Sequence, residues 1–525
     1  MYSTTGNGSI VFYTLMYVMN QSIIQDEGSY NYYYMKIGKE TNAKKCYGIY
    51  GCFELSPPWT SENRPVSLFP NNLRDIEPNY FLYTRSNRES PLLIDVNEYE
   101  YVTSYGIDAR KPIYVITHGY MEGGSIHWIV KMAQKFLDLE DCNVIVVDWH
   151  RGSSPPYTQA VANIRLIGKM TAHLLSDIAA QNDNYTMKHT HCIGHSLGAH
   201  LCGYVGYSLQ EEFNLTIGRI SGLDPAEPHF AKTGRPVRLD RSAADYVDII
   251  HTDATQFITG GLGMRESIGH VDYFPNGGNR QPGCEKTMAQ FINDQKGSFF
   301  NGMKKYLSCN HERAHQIFIE TINPKCSFLS VTCTSYEDFL DGKCWGCGKY
   351  GAKCITFGFE GRKHYDKFYG PGLNRGLNQY LLTSEAKPFC KGHYRIRVRV
   401  SGSEESVRHK GEIGQLVFTM HNTIDGSAHK TSPVGFISGY YEPGEVYTRV
   451  VATDEIKHLR AVEIEWKYNS SLFNPLTWRL LTTPMIYLTD VVVETLETQQ
   501  KITVCPKDQK PLVTGSPQLM IPTYC

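Results

Sequence analysis

The chain lacks an excess of charge of either sign: 53 Asp and Glu stand against 52 Lys and Arg, for a net charge of −1. Nucleic acid is not an expected partner, because nothing supplies the basic face that would hold phosphates. It also lacks any apolar run near the ~20 residues a membrane-spanning helix needs; the best candidate, Ile10 to Met19, has ten. No integral helical membrane protein is expected. That run has the length of a signal-peptide core, but no Lys or Arg precedes it and no small-x-small cleavage site follows. Bias toward low complexity is missing too: with 41% hydrophobic and 20% charged residues the chain is neither disordered nor collagen-like.

Cysteine, by contrast, is plentiful. Fifteen Cys, with close spacings at Cys46/Cys52, Cys333/Cys344 and Cys347/Cys354, suit small disulfide loops and an oxidising compartment. Secretion is the expected localisation. A zinc site at Cys344 and Cys347 would need Cys333 and Cys354 as its second pair, and is the lesser reading. Sequons at Asn184, Asn214 and Asn469 fit the same compartment.

Residues 1–45 show no clear period and read as a leader and extension. From Pro112 the chain alternates strand-like runs (IYVITHG, NVIVVDW, HTHCIGHS) with amphipathic helix-like runs (HWIVKMAQKFLDL, NIRLIGKMTAHLLSDIAAQ). Such alternation predicts an α/β domain with a parallel sheet covered on both faces. After about Cys390 the pattern becomes period-two (HYRIRVRV, GQLVFTM, AVEIEWKY) without convincing helices, which predicts a second, all-β sandwich. The boundary is expected near Thr383 to Lys391.

The pentapeptide Gly194-His195-Ser196-Leu197-Gly198 follows a strand run and opens a helix run, the context in which a serine is lifted on a sharp turn. A serine hydroxyl is a weak nucleophile at neutral pH, so a histidine base and an orienting carboxylate are required, in the order Ser, acid, His. Asp224 ends the strand run IGRISGL, where a carboxylate faces the crevice; Asp248 and Asp253 are its rivals. His251, His270, His311 and His315 lie downstream, and spacing puts His311 only marginally ahead of His270. The oxyanion needs two backbone donors: the amide of Leu197, and one from the loop Thr117-His118-Gly119-Tyr120 after an early strand.

Taken together, THGY, VDWHRGS, IGHSLGAH, GRISGLDPAEPHF, GHVDYFPNGGNRQPGC and CNHER resemble the pancreatic lipase family, in order, from about Cys46 to the carboxyl terminus. The resemblance implies an α/β-hydrolase domain over 46–385 and a PLAT β-sandwich over 391–525. It makes Ser196 the nucleophile, Asp224 the acid and His311 the base, with the amides of Tyr120 and Leu197 as the oxyanion hole. It also implies disulfides Cys46/Cys52, Cys284/Cys309, Cys333/Cys344, Cys347/Cys354 and Cys505/Cys525. Cys142, Cys192, Cys202, Cys326 and Cys390 are left unassigned, with Cys192 and Cys202 read as small buried hydrophobes.

The 24 residues between Cys284 and Cys309 resemble a full-length lid over 285–308, with Met288, Phe291, Ile292, Phe299, Phe300, Met303 and Leu307 as its apolar face. A lid of that kind closes over the serine in water and opens toward a lipid surface. The family's calcium loop resembles Arg235 to Asp245 here: Asp240 fits the first acidic position, Ala243 replaces the second, and Asp245 fits only by a shift of register. Losing a hard oxygen ligand weakens a calcium site, so no cofactor is required. In the second domain Arg395, Arg397 and Arg399 share one strand face, which is either solvated or open to a sulfated glycan or anionic lipid. A colipase-like partner is a further candidate for that domain. The expected function is a secreted hydrolase of carboxylic esters working at a lipid–water interface, most simply on triacylglycerol. An sn-1 phospholipase is the nearest rival, and a non-catalytic lipid-binding relative the more distant one, since such relatives typically lose the nucleophile.

Overall fold

A computed structural model describes residues 44–95, 105–181, 187–256, 260–295, 299–370, 376–426, 429–470 and 483–525, without the side chains of 299–304. The apolar run at Ile10 to Met19, nearly all of the 1–45 extension, and the sequon at Asn184 lie outside the described residues. The chain divides into two compact units: Met1–Phe274 with Gly278–Asn323 and Tyr369–Leu377, and Pro275–Gly277 with Pro324–Phe368 and Asn378–Cys525.

In the main sheet of the first unit the strands are β1 Asn79–Tyr83, β2 Leu92–Ile94, β3 Ile113–Thr117, β4 Asn143–Asp148, β5 Thr190–His195, β6 Arg219–Leu223, β7 Tyr246–Ile250 and β8 Val271–Pro275. They lie in the order β8-β7-β6-β5-β3-β4-β1-β2. From β8 to β4 every pairing is parallel, while β1 pairs antiparallel with both β4 and β2. The parallel centre follows from composition, because strands covered on both faces must be apolar along their whole length, and β3, β6 and β7 are buried at all five positions. Helices α1 His127–Leu139, α2 Tyr157–Ala180 and α3 Leu197–Phe213 cover this sheet. Trp128, Met132 and Phe136 recur on one face of α1 at helical spacing, and all three are buried. Next come α4 Met288–Asp294 and α5 Phe299–Thr321. Thr287 starts α4 with a reciprocal cap: its hydroxyl accepts from the Gln290 amide while the Gln290 side chain accepts from the Thr287 amide.

The second unit holds two four-stranded antiparallel sheets. With β9 Gly392–Val400, β10 Glu412–His421, β11 Val434–Tyr441, β12 Val446–Thr453, β13 Ala461–Tyr468, β14 Leu488–Thr495, β15 Lys501–Val504 and β16 Gln518–Met520, the orders are β12-β9-β14-β15 and β11-β10-β13-β16. Inward positions Tyr394, Ile396 and Val398 of the first sheet and Leu416, Phe418 and Trp466 of the second join one core. One element departs from the period-two reading: Glu404–His409 is a short helix. Ser403 caps it through the Ser406 amide, acids fill its first turn and Arg408 and His409 its last, local signals that override strand alternation.

All fifteen cysteines are accounted for. Seven disulfides join Cys46–Cys52, Cys192–Cys202, Cys284–Cys309, Cys326–Cys390, Cys333–Cys344, Cys347–Cys354 and Cys505–Cys525, leaving Cys142 as a buried thiol. The five pairs implied by the resemblance are present. The reading of Cys192 and Cys202 as unpaired hydrophobes is corrected: β5 and α3 pack side by side, which brings their Cα atoms to 5.9 Å, within bridging range. Cys333, Cys344, Cys347 and Cys354 are consumed by disulfides, so the zinc reading falls with them.

Candidate functional site

Ser196 sits between the end of β5 and the start of α3 with φ 57° and ψ −121°, a conformation a side chain adopts only under constraint. The two flanking glycines supply the constraint. A Cβ on Gly194 would lie 2.1 Å from the Gly198 carbonyl oxygen, and one on Gly198 would lie 2.6 Å from the His118 oxygen. No larger residue fits at either place, so the turn is as tight as the pentapeptide predicts. The Ser196 amide is anchored to the Leu223 carbonyl at 3.1 Å. Leu197 opens a helix of 17 residues, so its amide is one of the first-turn donors that lack an intrahelical acceptor. Across the turn Gly119 approaches closely enough that its Cβ would meet the Ser196 Cβ at 2.9 Å, which places the Gly119-Tyr120 loop beside the serine.

Asp224 follows β6 directly, fully buried and also at positive φ (46°). Its Oδ2 lies 2.6 Å from His311 Nδ1, and its Oδ1 accepts the amides of Thr252 and Asp253 at 2.8 and 3.1 Å. Those two amides fix the carboxylate so that its second oxygen meets the imidazole. A Cβ on Gly263 would collide with both oxygens, so the loop above the carboxylate needs glycine there. His311 lies in α5, two residues after Cys309, whose disulfide to Cys284 closes the intervening segment.

The rivals have other tasks. Asp248 forms a two-point ion pair with Arg219, both contacts at 2.9 Å, and accepts the Ser221 hydroxyl, so it is a buried structural acid. His251 is held between the Met264 carbonyl and Asp272, and His270 accepts the Val247 amide. His315 stacks on Trp128 with ring centres 4.7 Å apart, and burial pushes its pKa well below the ordinary value. Asp253 lies beside Asp224 and His311, with one ligand atom from each of the three within 4.8 Å. Burial raises its pKa, the charge on Asp224 raises it further and the Leu262 amide only partly opposes them, leaving it pushed up to about 8.

Two residues that the motifs did not single out as functional meet here. Glu122, three positions past Gly119, accepts the Gly119 amide at 2.8 Å and the Trp128 indole N–H at 3.2 Å. The same Oε2 lies 3.4 Å from His195 Nδ1, and His195 Nε2 lies 3.2 Å from the His311 carbonyl oxygen. Burial works against charge on Glu122, but the hydrogen bond and charge of His195, with the Gly119 amide, hold the carboxyl well below its usual range. Its signal in the sequence was slight: an acid in the loop after the early strand, and a histidine as the second residue of the serine pentapeptide.

The calcium reading fits poorly. Asp240 spends a carboxylate oxygen on the Ser242 amide, Ala243 offers no side-chain oxygen, and Asp245 is exposed at the entry to β7. Among the described residues neither aspartate joins a cluster of three or more candidate ligands. The cationic face of the second unit is matched by acids: Arg395 pairs with Glu494, and Arg397 and Arg399 lie 3.7 and 3.1 Å from Asp490 on the neighbouring strand.

Comparison with known proteins shows the family. The family model described as "Lipase" matches residues 43–389. A pancreatic triacylglycerol lipase of Myocastor coypus is 33% identical over 84% of this chain and 91% of its own length. The pancreatic lipase-related protein 2 of Rattus norvegicus is 36% identical over 70% of this chain and 76% of its own. A relative named as inactive, pancreatic lipase-related protein 1 of Mus musculus, is 33% identical over 84% and 88%. A match across well over half of the chain, spanning the serine turn, the carboxylate and the histidine, makes this protein a member of the lipase family.

Proposed function

We propose that the protein is a secreted serine hydrolase of carboxylic esters, acting on triacylglycerol at a lipid–water interface. The observation that carries the reading is the 2.6 Å contact of His311 with Asp224 beside the constrained Ser196 turn. Ser196 is the nucleophile. His311, its Nδ1–H held by Asp224, takes the serine proton at Nε2 as the acyl carbonyl is attacked, and the amides of Leu197 and Tyr120 receive the oxyanion. His311 then protonates the departing alcohol, and water repeats the sequence to release the fatty acid. Seven disulfides support an oxidising, extracellular setting.

The lid reading rests on α4, where Phe291 is buried, Met288 and Ile292 are half-buried, and Ala289, Gln290, Asn293 and Asp294 are exposed. That is an amphipathic helix of about two turns. Phe299, Phe300 and Met303 lie outside the described side chains. The second unit is proposed as a PLAT-type sandwich, and its paired arginines favour a solvated face over a glycan site. Calcium is not proposed as a requirement.

Because relatives named as inactive are as similar as active ones, turnover is the decisive test. Wild type and Ser196→Ala are compared on emulsified triacylglycerol and on phosphatidylcholine vesicles, below and above the concentration at which an interface forms. A serine-dependent rate that jumps with the triacylglycerol interface is the expected result. Preferential release from phosphatidylcholine would replace the substrate with phospholipid, and no serine-dependent release from either would overturn the enzymatic reading.

A further inference from the structure

We propose that Glu122 and His195 form a buried charged bridge that holds the oxyanion loop and the His311 helix in register, each acting as a positioning residue for its end of the site. The inference rests on the hydrolase reading above and assigns two roles that the triad leaves open.

The geometry of His195 makes the argument. Both ring nitrogens face acceptors: Nδ1 faces the Glu122 carboxylate and Nε2 faces the His311 main-chain carbonyl. A neutral imidazole has one N–H and can satisfy only one of them, so this arrangement selects the imidazolium. Burial alone would oppose the charge, and the hydrogen bond and charge of Glu122 more than offset it, raising the His195 pKa. Glu122 in turn fastens the oxyanion loop, since the carboxylate oxygen that faces His195 also accepts the Gly119 amide, one residue before the proposed Tyr120 donor. Ser153 adds a further tie through the Glu122 carbonyl. The chain of contacts therefore runs from the loop after β3, through the residue preceding the nucleophile, to the backbone of the base.

The groups facing His195 are Glu122 on that loop, Trp128 on α1, Asp224 after β6, and His311 and His315 on α5. The positive end of the bridge is nearest His311, with ring centres 4.5 Å apart.

The test uses the full chain and Glu122→Gln, which keeps size and shape but not charge. On a water-soluble short-chain ester, kcat is expected to fall about 10- to 100-fold through misplacement of the donor loop, with KM changed less than about twofold. Glu122→Asp, which restores charge but not reach, recovers only part of kcat. Imidazole nitrogen NMR of wild type is read alongside, and His195 is expected to show two N–H signals at neutral pH. An active wild type whose Glu122→Gln variant keeps kcat would overturn the assignment while leaving the hydrolase reading intact. A neutral His195 in wild type would overturn it without recourse to any variant. A wild type with no serine-dependent turnover removes the hydrolase reading, and these roles with it.

Discussion

Replacing Ser196 by glycine should stabilise the protein. At φ 57° and ψ −121° Ser196 occupies a region natural to glycine, and the close approach of Gly194, Gly198 and His118 leaves the turn no room to relax. Strain at such a residue is worth about 1–3 kcal/mol, while glycine costs about 0.5–1 kcal/mol by freeing the unfolded chain. The net gain for Ser196→Gly is therefore between about 0 and about 2.5 kcal/mol, centred near about 1 kcal/mol. Ser196→Ala removes the same hydroxyl but keeps the Cβ, and should leave stability within about 0.5 kcal/mol of wild type. Both variants lack the serine hydroxyl, so the difference between them isolates the backbone. Thermal unfolding reads it: at about 2–4 °C per kcal/mol for a large domain, glycine should melt a few degrees above alanine. A glycine variant melting at or below the alanine variant would refute the claim that the serine turn stores strain.

Asp253 gives a pH prediction. With its pKa pushed up to about 8, the folded chain keeps a proton that the unfolded chain releases near pH 4. Its contribution to stability is full below about pH 4 and is lost as pH rises toward 8, so Asp253→Asn should flatten that loss and gain on the order of a few kcal/mol at pH 8. Urea unfolding at pH 5 and pH 8 checks it, and equal slopes in both proteins would count against a protonated Asp253. Asp248→Ala should lose about 3–5 kcal/mol by stranding the buried Arg219 guanidinium, and an apolar replacement of both partners should recover most of it in urea midpoint measurements. The Cys192–Cys202 bridge spans ten positions and should contribute about 3 kcal/mol, lost in the double alanine variant. A thiol count on the denatured, unreduced protein should find Cys142 alone; three reactive thiols would deny that bridge.

The features legible in the sequence are those a local pattern encodes. The parallel centre of the sheet shows because β3, β6 and β7 are buried on both faces and so are apolar throughout. The serine turn shows because its glycines are sterically compelled. The antiparallel strand β1 left no such trace, since Asn79 and Phe81 alternate with buried Tyr80 and Leu82 in a run of five. Asp224 and His311 were candidates by order, and what separates them from Asp248 and His270 is tertiary: each rival is already bonded, to Arg219 and to the Val247 amide. Cys192 and Cys202 escaped because bridging depends on how β5 packs against α3, which no spacing rule states. Glu122 escaped for the same reason in stronger form. Its carboxylate joins residues 119, 128 and 195, and through His195 reaches residue 311. A group whose role is to tie four separate segments has no pattern along the chain, only a position in space. Motifs therefore reveal the atoms that react more readily than the atoms that hold them in place.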